Sequence, residues 1–335
     1  MPAEKTNQSP PQSSTNEIKY PTDCSADTEY NGFRESPPDE LSKRAKHLEA
    51  KVTEKRNVLG EEHPDTLTLM TKLGFTYWNQ GRWKKAEKLQ LQVFEARKKV
   101  LGHKHLDTLS SMHNLALTFW NQGECKKAEE LVVQAIETRK EVLGHEHPDT
   151  LNSTNLLVAI YQHQGKYKEA EKLGMQVLET QKKVLGHDHP HTLTSMDNLT
   201  FTYWKQDRHK ESEKLGIRVI EARRNVLGPE HSKTLVSMHN LALVYESQKR
   251  YTEAEELEVQ VVEIGKKVLG SEHPETLRTM GNLAFIYWKQ GRWKEAEELG
   301  VEVVESQTKV LGPEHPDTLC FLAIIENIRK STKTP

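Results

Sequence analysis

The sequence predicts an all-α solenoid built from stacked helical hairpins, and three observations carry that expectation. The string VLG recurs at Val58, Val100, Val142, Val184, Val226, Val268 and Val310, every 42 residues. In all seven copies a His follows the Gly by three positions, and a Thr-Leu pair follows three further on. Between copies, apolar residues fall at helical spacing. A period of this length, held without insertions, means units that bury surface against neighbours rather than around one globular core.

Each unit reads as two helices. In the first, Met70, Leu73, Gly74 and Tyr77 share one face at helical spacing. Asn79-Gln80-Gly81-Arg82-Trp83 then reads as a short turn. Ala86, Leu89, Val93 and Val100 line one face of a second helix, and Gly102 supplies its stop. The helices are placed near 64–80 and 83–100, with equivalents every 42 residues after. We call them A and B. Turn Gly becomes Asp207 and Lys249 in units four and five, and the small residue between helices becomes Val158 and Thr200. Units three to five are therefore expected to be less regular than the rest.

The ends differ from the middle. Residues 1–38 are rich in Ser, Pro, Thr, Asn and charge, which predicts disorder. Residues 39–60 match only a B helix and would cap the stack. Six complete units start near 61, 103, 145, 187, 229 and 271. Residues 313–330 match only an A helix and would cap the other end, with 331–335 a disordered tail.

Composition excludes several classes. A net charge of −2 with 29% charged residues gives no global pull toward nucleic acid or anionic membrane. No apolar run approaches the length of a membrane span, and no secretory signal opens the chain, so a cytoplasmic setting is expected. Cys24, Cys125 and Cys320 are too scattered for a disulfide or zinc framework. No nucleophile elbow, zincin motif, phosphate loop or dinucleotide turn occurs, so neither enzyme chemistry nor a cofactor is expected.

The recurring His is the one metal candidate. His103/His105, His145/His147 and His187/His189 form H-x-H pairs, but the first His becomes Glu61, Pro229, Ser271 and Pro313 elsewhere. Equivalent His in adjacent units lie about 8–10 Å apart or further, too far to share one zinc. A helix start explains the pattern better. Pro64, Pro148, Pro190, Pro274 and Pro316 suit the first helical position. The acids after them (Asp65, Asp149, Asp317 and Glu275), with Asp107, suit the positive end of the helix dipole. His is then the N-cap.

The motif set resembles the tetratricopeptide repeat: Leu115-Ala116, Phe119, Gly123, Ala128-Glu129, Leu131, and again Leu283-Ala284, Tyr287, Gly291, Ala296-Glu297, Leu299. A 42-residue unit with His-Pro-Asp-Thr before helix A is similar to kinesin light chain repeats. It is also similar to repeat arrays of fungal and bacterial NACHT or NB-ARC receptors. The resemblance implies a right-handed superhelix whose A helices line a concave groove for extended peptide segments of partner proteins. The reading is a non-enzymatic scaffold or adaptor, with a receptor's sensor portion or a kinesin-light-chain-like cargo adaptor as alternatives.

The groove columns follow from the helical wheel. One column reads Lys72, Asn114, Leu156, Asn198, Asn240, Asn282; the next reads Phe75, Leu117, Ala159, Phe201, Leu243, Phe285. A third reads Trp78, Trp120, Gln162, Trp204, Glu246, Trp288. Asn amides offer donor and acceptor to a peptide backbone, or they bond adjacent A helices. The Trp column lies at the border of core and groove, so it packs units together or forms the groove wall. The Lys and Asn positions of chaperone-tail carboxylate clamps in this family are not matched, so such a partner is not expected. Nothing in the sequence speaks to oligomeric state.

Overall fold

The computed structural model describes residues 38–310 together with 312, 313, 318, 321, 322, 325 and 329. Of the expected disordered segments 1–38 and 331–335, all but Pro38, which begins the first helix, lie outside the described residues. So does most of the expected C-terminal cap, although positions 318, 321, 322, 325 and 329 are helical.

Thirteen helices follow one another among the described residues. A lone helix, α1 (Pro38–Leu59), precedes six hairpins. The hairpins are α2 (Pro64–Asn79) with α3 (Trp83–Leu101), α4 (Leu106–Asn121) with α5 (Cys125–Leu143), and α6 (Pro148–His163) with α7 (Tyr167–Val184). Then come α8 (Pro190–Lys205) with α9 (His209–Val226), α10 (Ser232–Ser247) with α11 (Tyr251–Val268), and α12 (Pro274–Lys289) with α13 (Trp293–Val310). The even-numbered helices are A helices. Each helix packs on its sequence neighbours, and the most extensive contacts between non-sequential helices join A helices. The A side is therefore the inner side of a right-handed superhelical solenoid.

The junction chemistry is the expected one. His63, His105, His147, His189 and His231 sit in extended backbone at the N-cap. In each, Nδ1 accepts from the backbone N–H two residues on, at 3.1–3.2 Å. The preceding Gly takes positive φ, between 86° and 95° at Gly102, Gly144, Gly186 and Gly228. At those four junctions the Thr after the cap donates to that Gly carbonyl at 2.8–2.9 Å.

The hairpin turns correct one expectation. Asp207 and Lys249 adopt φ of 58° and 61°, close to Gly81 at 70° and Gly165 at 74°. The turn bonds persist too: Arg250 N–H reaches Tyr245 O at 2.9 Å, as Arg82 N–H reaches Tyr77 O at 2.9 Å. Units three to five are not less regular. The larger Val158 and Thr200 are accommodated by glycine on the facing B helix. A Cβ on Gly216 would meet Thr200 Cγ2 at 3.3 Å, and one on Gly174 would meet Val158 Cγ1 at 3.7 Å. Volume moves across the interface while the sum is kept.

A second correction concerns helix B. Val100 shares the core-facing angle but sits in the last turn, which overhangs its neighbours, and is 49% exposed. Val142, Val184 and Val226 are likewise exposed. The buried residue of that stretch is Arg97.

Two outcomes test this account. His147→Ala should lower unfolding free energy by about 1 kcal/mol in urea denaturation, the usual worth of an N-cap. His145→Ala, on an exposed linker residue, should leave it within error. Lys249→Gly should raise stability by about 0.5–1 kcal/mol, because a Lys at positive φ carries strain that Gly does not; an unchanged midpoint would count against a strained turn.

Candidate functional site: the inner face of the A helices

Asn114, Asn198, Asn240 and Asn282 stand in register on α4, α8, α10 and α12, each half-buried. Among the described residues none of their side-chain amides has a hydrogen-bond partner. For these four Asn the alternative of bonds between adjacent A helices does not occur among the described residues. That role falls to Gln162, whose Nε2 donates to Asn198 O at 2.6 Å and Thr202 Oγ1 at 2.7 Å. The column starts on Lys72, which is exposed, and is interrupted between Asn114 and Asn198 by Leu156, which is buried.

Beside the amides runs the apolar column, with Phe75, Leu117, Phe201 and Phe285 all half-buried. Three of these pair with the Trp one turn on. Phe75 and Trp78 stack at 5.8 Å between ring centroids, while Phe201–Trp204 lie at 5.5 Å and Phe285–Trp288 at 5.3 Å. Lys205 Nζ sits 3.8 Å from the Trp204 ring centroid, and Lys289 Nζ 4.6 Å from that of Trp288. Trp78 is 4% exposed and belongs to the first core cluster. Trp120, Trp204 and Trp288 are half-buried, and Trp204 packs against the core of the next unit. The Trp column thus packs units together, fully at Trp78 and with part of the ring left accessible at Trp120, Trp204 and Trp288.

Glu246 replaces Trp in that column. Burial holds its carboxyl above the usual carboxylate range, with Glu258 adding to the effect while Lys289 and His239 oppose it. A carboxyl raised on folding favours the folded state when protonated. That contribution is present below the unfolded value and lost as pH rises through the folded one.

A polar seam joins the units behind the groove, and sequence reasoning missed it. Arg97 Nη1 donates to Ser111 Oγ at 2.9 Å and Asp107 O at 3.2 Å. Arg139 Nη1 reaches Asp149 O at 2.8 Å, and burial lowers its affinity for the proton. Ser195 Oγ lies 2.5 Å from Gln181 Oε1 and 2.8 Å from Asn155 Oδ1. Arg223 Nη1 donates to Asp197 Oδ2 at 2.9 Å and Ser237 Oγ at 2.6 Å. His239 bonds Glu258 through Nδ1 and accepts from Arg278 Nη1 through Nε2 at 2.9 Å. Charged residues default to the surface, so these readings were not available from type. The usable signal was the column itself: Arg97, Arg139, Gln181, Arg223, Gly265 and Gln307 recur 42 apart.

The arrangement offers donors, acceptors and aromatic faces for recognition. A thiol contact lies elsewhere, at the hairpin turns, where Cys125 Sγ is 3.2 Å from His163 Nδ1. No group of three or more His, Cys, Asp and Glu poised for a metal occurs among the described residues. No described helix is long and apolar enough to cross a membrane.

Similar hairpins in 42-residue register, stacked with their A helices on one side, define a helical-repeat solenoid. The chain belongs to the tetratricopeptide repeat family. Tetratricopeptide repeat models match residues 65–141, 149–215 and 201–267, and a further one matches 276–317. Among solved structures it is similar to the nearly identical, kinesin-light-chain-like TPR repeats of Podosopora anserina. These are 32% identical, cover 61% of this chain and 97% of theirs, and give a TM-score of 0.50. BtubC (BKLC) from P. vanneervenii is 17% identical over 70% of this chain and 94% of its own, with a TM-score of 0.57. A Rap protein complexed with competence and sporulation factor is 14% identical over 90% and 88%, with a TM-score of 0.61. The last two likenesses are of fold alone. Comparison with curated protein sequences gives no significant match.

Glu246→Gln should raise Tm by about 1–2 °C at pH 7. The gain should shrink as pH falls below the folded-state value, where the wild-type carboxyl is itself protonated; a gain independent of pH would sink the buried-carboxyl explanation.

Proposed function

We propose that the chain is a non-enzymatic adaptor that holds extended peptide segments of partner proteins along the inner face of its A helices. The observation that carries this reading is the column of four half-buried Asn amides without intramolecular partners, set beside the Phe–Trp pairs. The three successive amides of Asn198, Asn240 and Asn282, at one helical-hairpin spacing, suit a peptide backbone, since each offers a donor and an acceptor whatever the side chains. The aromatic pairs beside them supply the kind of surface on which binding energy concentrates. The Rap protein similar in fold was solved in complex with competence and sporulation factor, so a solenoid of this fold can carry a ligand. The 32% identity to kinesin-light-chain-like repeats favours, as a second reading within the same class, attachment of cargo to a larger assembly. The setting proposed is cytoplasmic.

The test is a peptide-array screen of the intact protein, followed by affinity measurement on Asn198→Ala/Asn240→Ala/Asn282→Ala. Three lost amide pairs should weaken groove ligands by at least about tenfold, with the circular dichroism spectrum unchanged. Equal affinity of the triple variant for every ligand found would sink the groove reading.

A further inference from the structure

One hairpin turn departs from its sisters. The first residue of helix B carries a ring in five units, at Trp83, Tyr167, His209, Tyr251 and Trp293. In the second unit it is Cys125, half-buried. The last residue of helix A is Asn79, Asn121, Lys205, Ser247 or Lys289 in five units, and His163 in the third. The two departures meet. Cys125 Sγ lies 3.2 Å from His163 Nδ1, across the interface between units two and three. An open cleft of about 690 Å³ reaches the thiol and is lined also by Lys126, Lys127, Gln164 and Lys166.

The cleft holds an unmatched acceptor. At four other turns an Arg donates to the Gln side chain two residues before it. Arg82 reaches Gln80 Oε1, Arg208 reaches Gln206 Oε1, Arg250 reaches Gln248 Oε1 and Arg292 reaches Gln290 Oε1, at 3.0–3.4 Å. In the third unit the Arg is replaced by Lys166, whose Nζ goes to Glu129. Gln164 Oε1 is left buried without a partner. Charge also distinguishes the site. Its lining holds Lys126, Lys127 and Lys166 against Glu124 and Glu129. Lys127 pairs with Glu124 at 2.5 Å and Lys166 with Glu129 at 3.2 Å. Lys126 is exposed and makes no ion pair or hydrogen bond among the described residues, so one positive charge is left over.

We propose that Cys125 is a thiolation site for a small peptide disulfide of the glutathione type, and that His163 takes the thiol's proton. With the ring proton on Nε2, His163 Nδ1 accepts the Sγ proton as Sγ attacks one sulfur of the incoming disulfide. A new Sγ–S bond forms and the reagent's own S–S bond breaks. The displaced sulfur leaves with the electron pair of that bond as a thiolate, and the imidazolium returns the proton to it. One protein thiol is thereby oxidised to a mixed disulfide, and one half of the reagent is reduced to its thiol. Imidazole suits this transfer because it gains and loses a proton near neutral pH. The remaining groups of the cleft select the reagent. A carboxylate of the peptide meets Lys126, and an amide N–H reaches Gln164 Oε1, which is costly to leave unpaired. Cys125 also opens α5, the helix end that favours negative charge. The site stands apart from the Asn column and does not depend on a peptide being held there.

The probe is glutathione disulfide, incubated with the intact protein and followed by mass spectrometry with peptide mapping. One glutathionyl group should appear on Cys125 and be removed by dithiothreitol. His163→Asn installs the residue present at Asn79 and Asn121, so the fold is kept, and circular dichroism checks this. That variant should be thiolated at Cys125 at least about tenfold more slowly. Its rate should climb steadily with pH between about pH 6 and 8, as for a free thiol, whereas the wild-type rate should level off once the imidazole is neutral. A merely structural His163 would not move that profile. Lys126→Gln changes an exposed position and should slow the reaction with glutathione disulfide about threefold, leaving that with uncharged hydroxyethyl disulfide unchanged. Equal rates and pH profiles for wild type and His163→Asn, or adducts confined to Cys24 and Cys320, would overturn the proposal. A loss of equal size with both disulfides in Lys126→Gln would overturn recognition through charge.

Discussion

Everything in this molecule depends on a junction that restarts the chain in the same direction every 42 residues. A helical hairpin has two faces to bury and no third layer of its own to bury them against. It becomes stable only when the next hairpin arrives in the correct orientation. The junction enforces that orientation with few atoms. A Gly at positive φ ends helix B, the His ring accepts the first free amide of helix A, and the Thr hydroxyl returns to the Gly carbonyl. Both ends of the linker are thereby hydrogen-bonded across three or four residues, which leaves little freedom for the angle between units. The columns on the inner face are in register because the junctions are.

Much of this was legible in the sequence because repetition converts one chain into its own comparison set. His147 could be separated from His145 because only the former recurs in every copy. The charge pairs that tie each junction to the B helix of the same unit can be seen the same way. Glu62 pairs with Lys99, Glu146 with Lys183 and Glu230 with Lys267, while at the second junction the order is reversed to Lys104 with Glu141. A swap that preserves the pair is a statement about contact, even though each exposed pair is worth little.

What was not legible had specific physical causes. A helical wheel gives an angle and no height, so Val100 was placed on the core face although its turn overhangs the neighbouring helices. Single columns hide compensation. Val158 and Thr200 looked like defects until Gly174 and Gly216 appeared across the interface from them. Residue type also misleads where charge is buried: Arg139 and Arg223 sit at 4% and 2% exposure because carbonyl, hydroxyl and carboxylate acceptors surround them. For the proposed site, the Asn and Phe columns could be read in advance, but their freedom from internal partners could not. That depends on Gln162 taking over the bond between adjacent A helices.

The polar seam also explains why one hairpin array can be structurally uniform and chemically uneven. Seats for Arg or Gln lie behind the groove at successive junctions, and each buried head group needs its acceptors. Filling a seat makes that junction rigid and closes the space beneath the inner face. Leaving it empty, as at Gly265, opens a cavity of about 230 Å³ without disturbing the helices, because α11 and α12 keep the bounds their sisters have. The backbone register is set by the junction and the packing behind the inner face by the seat residue. A repeat protein built this way can change one position while every neighbouring unit still stacks as before.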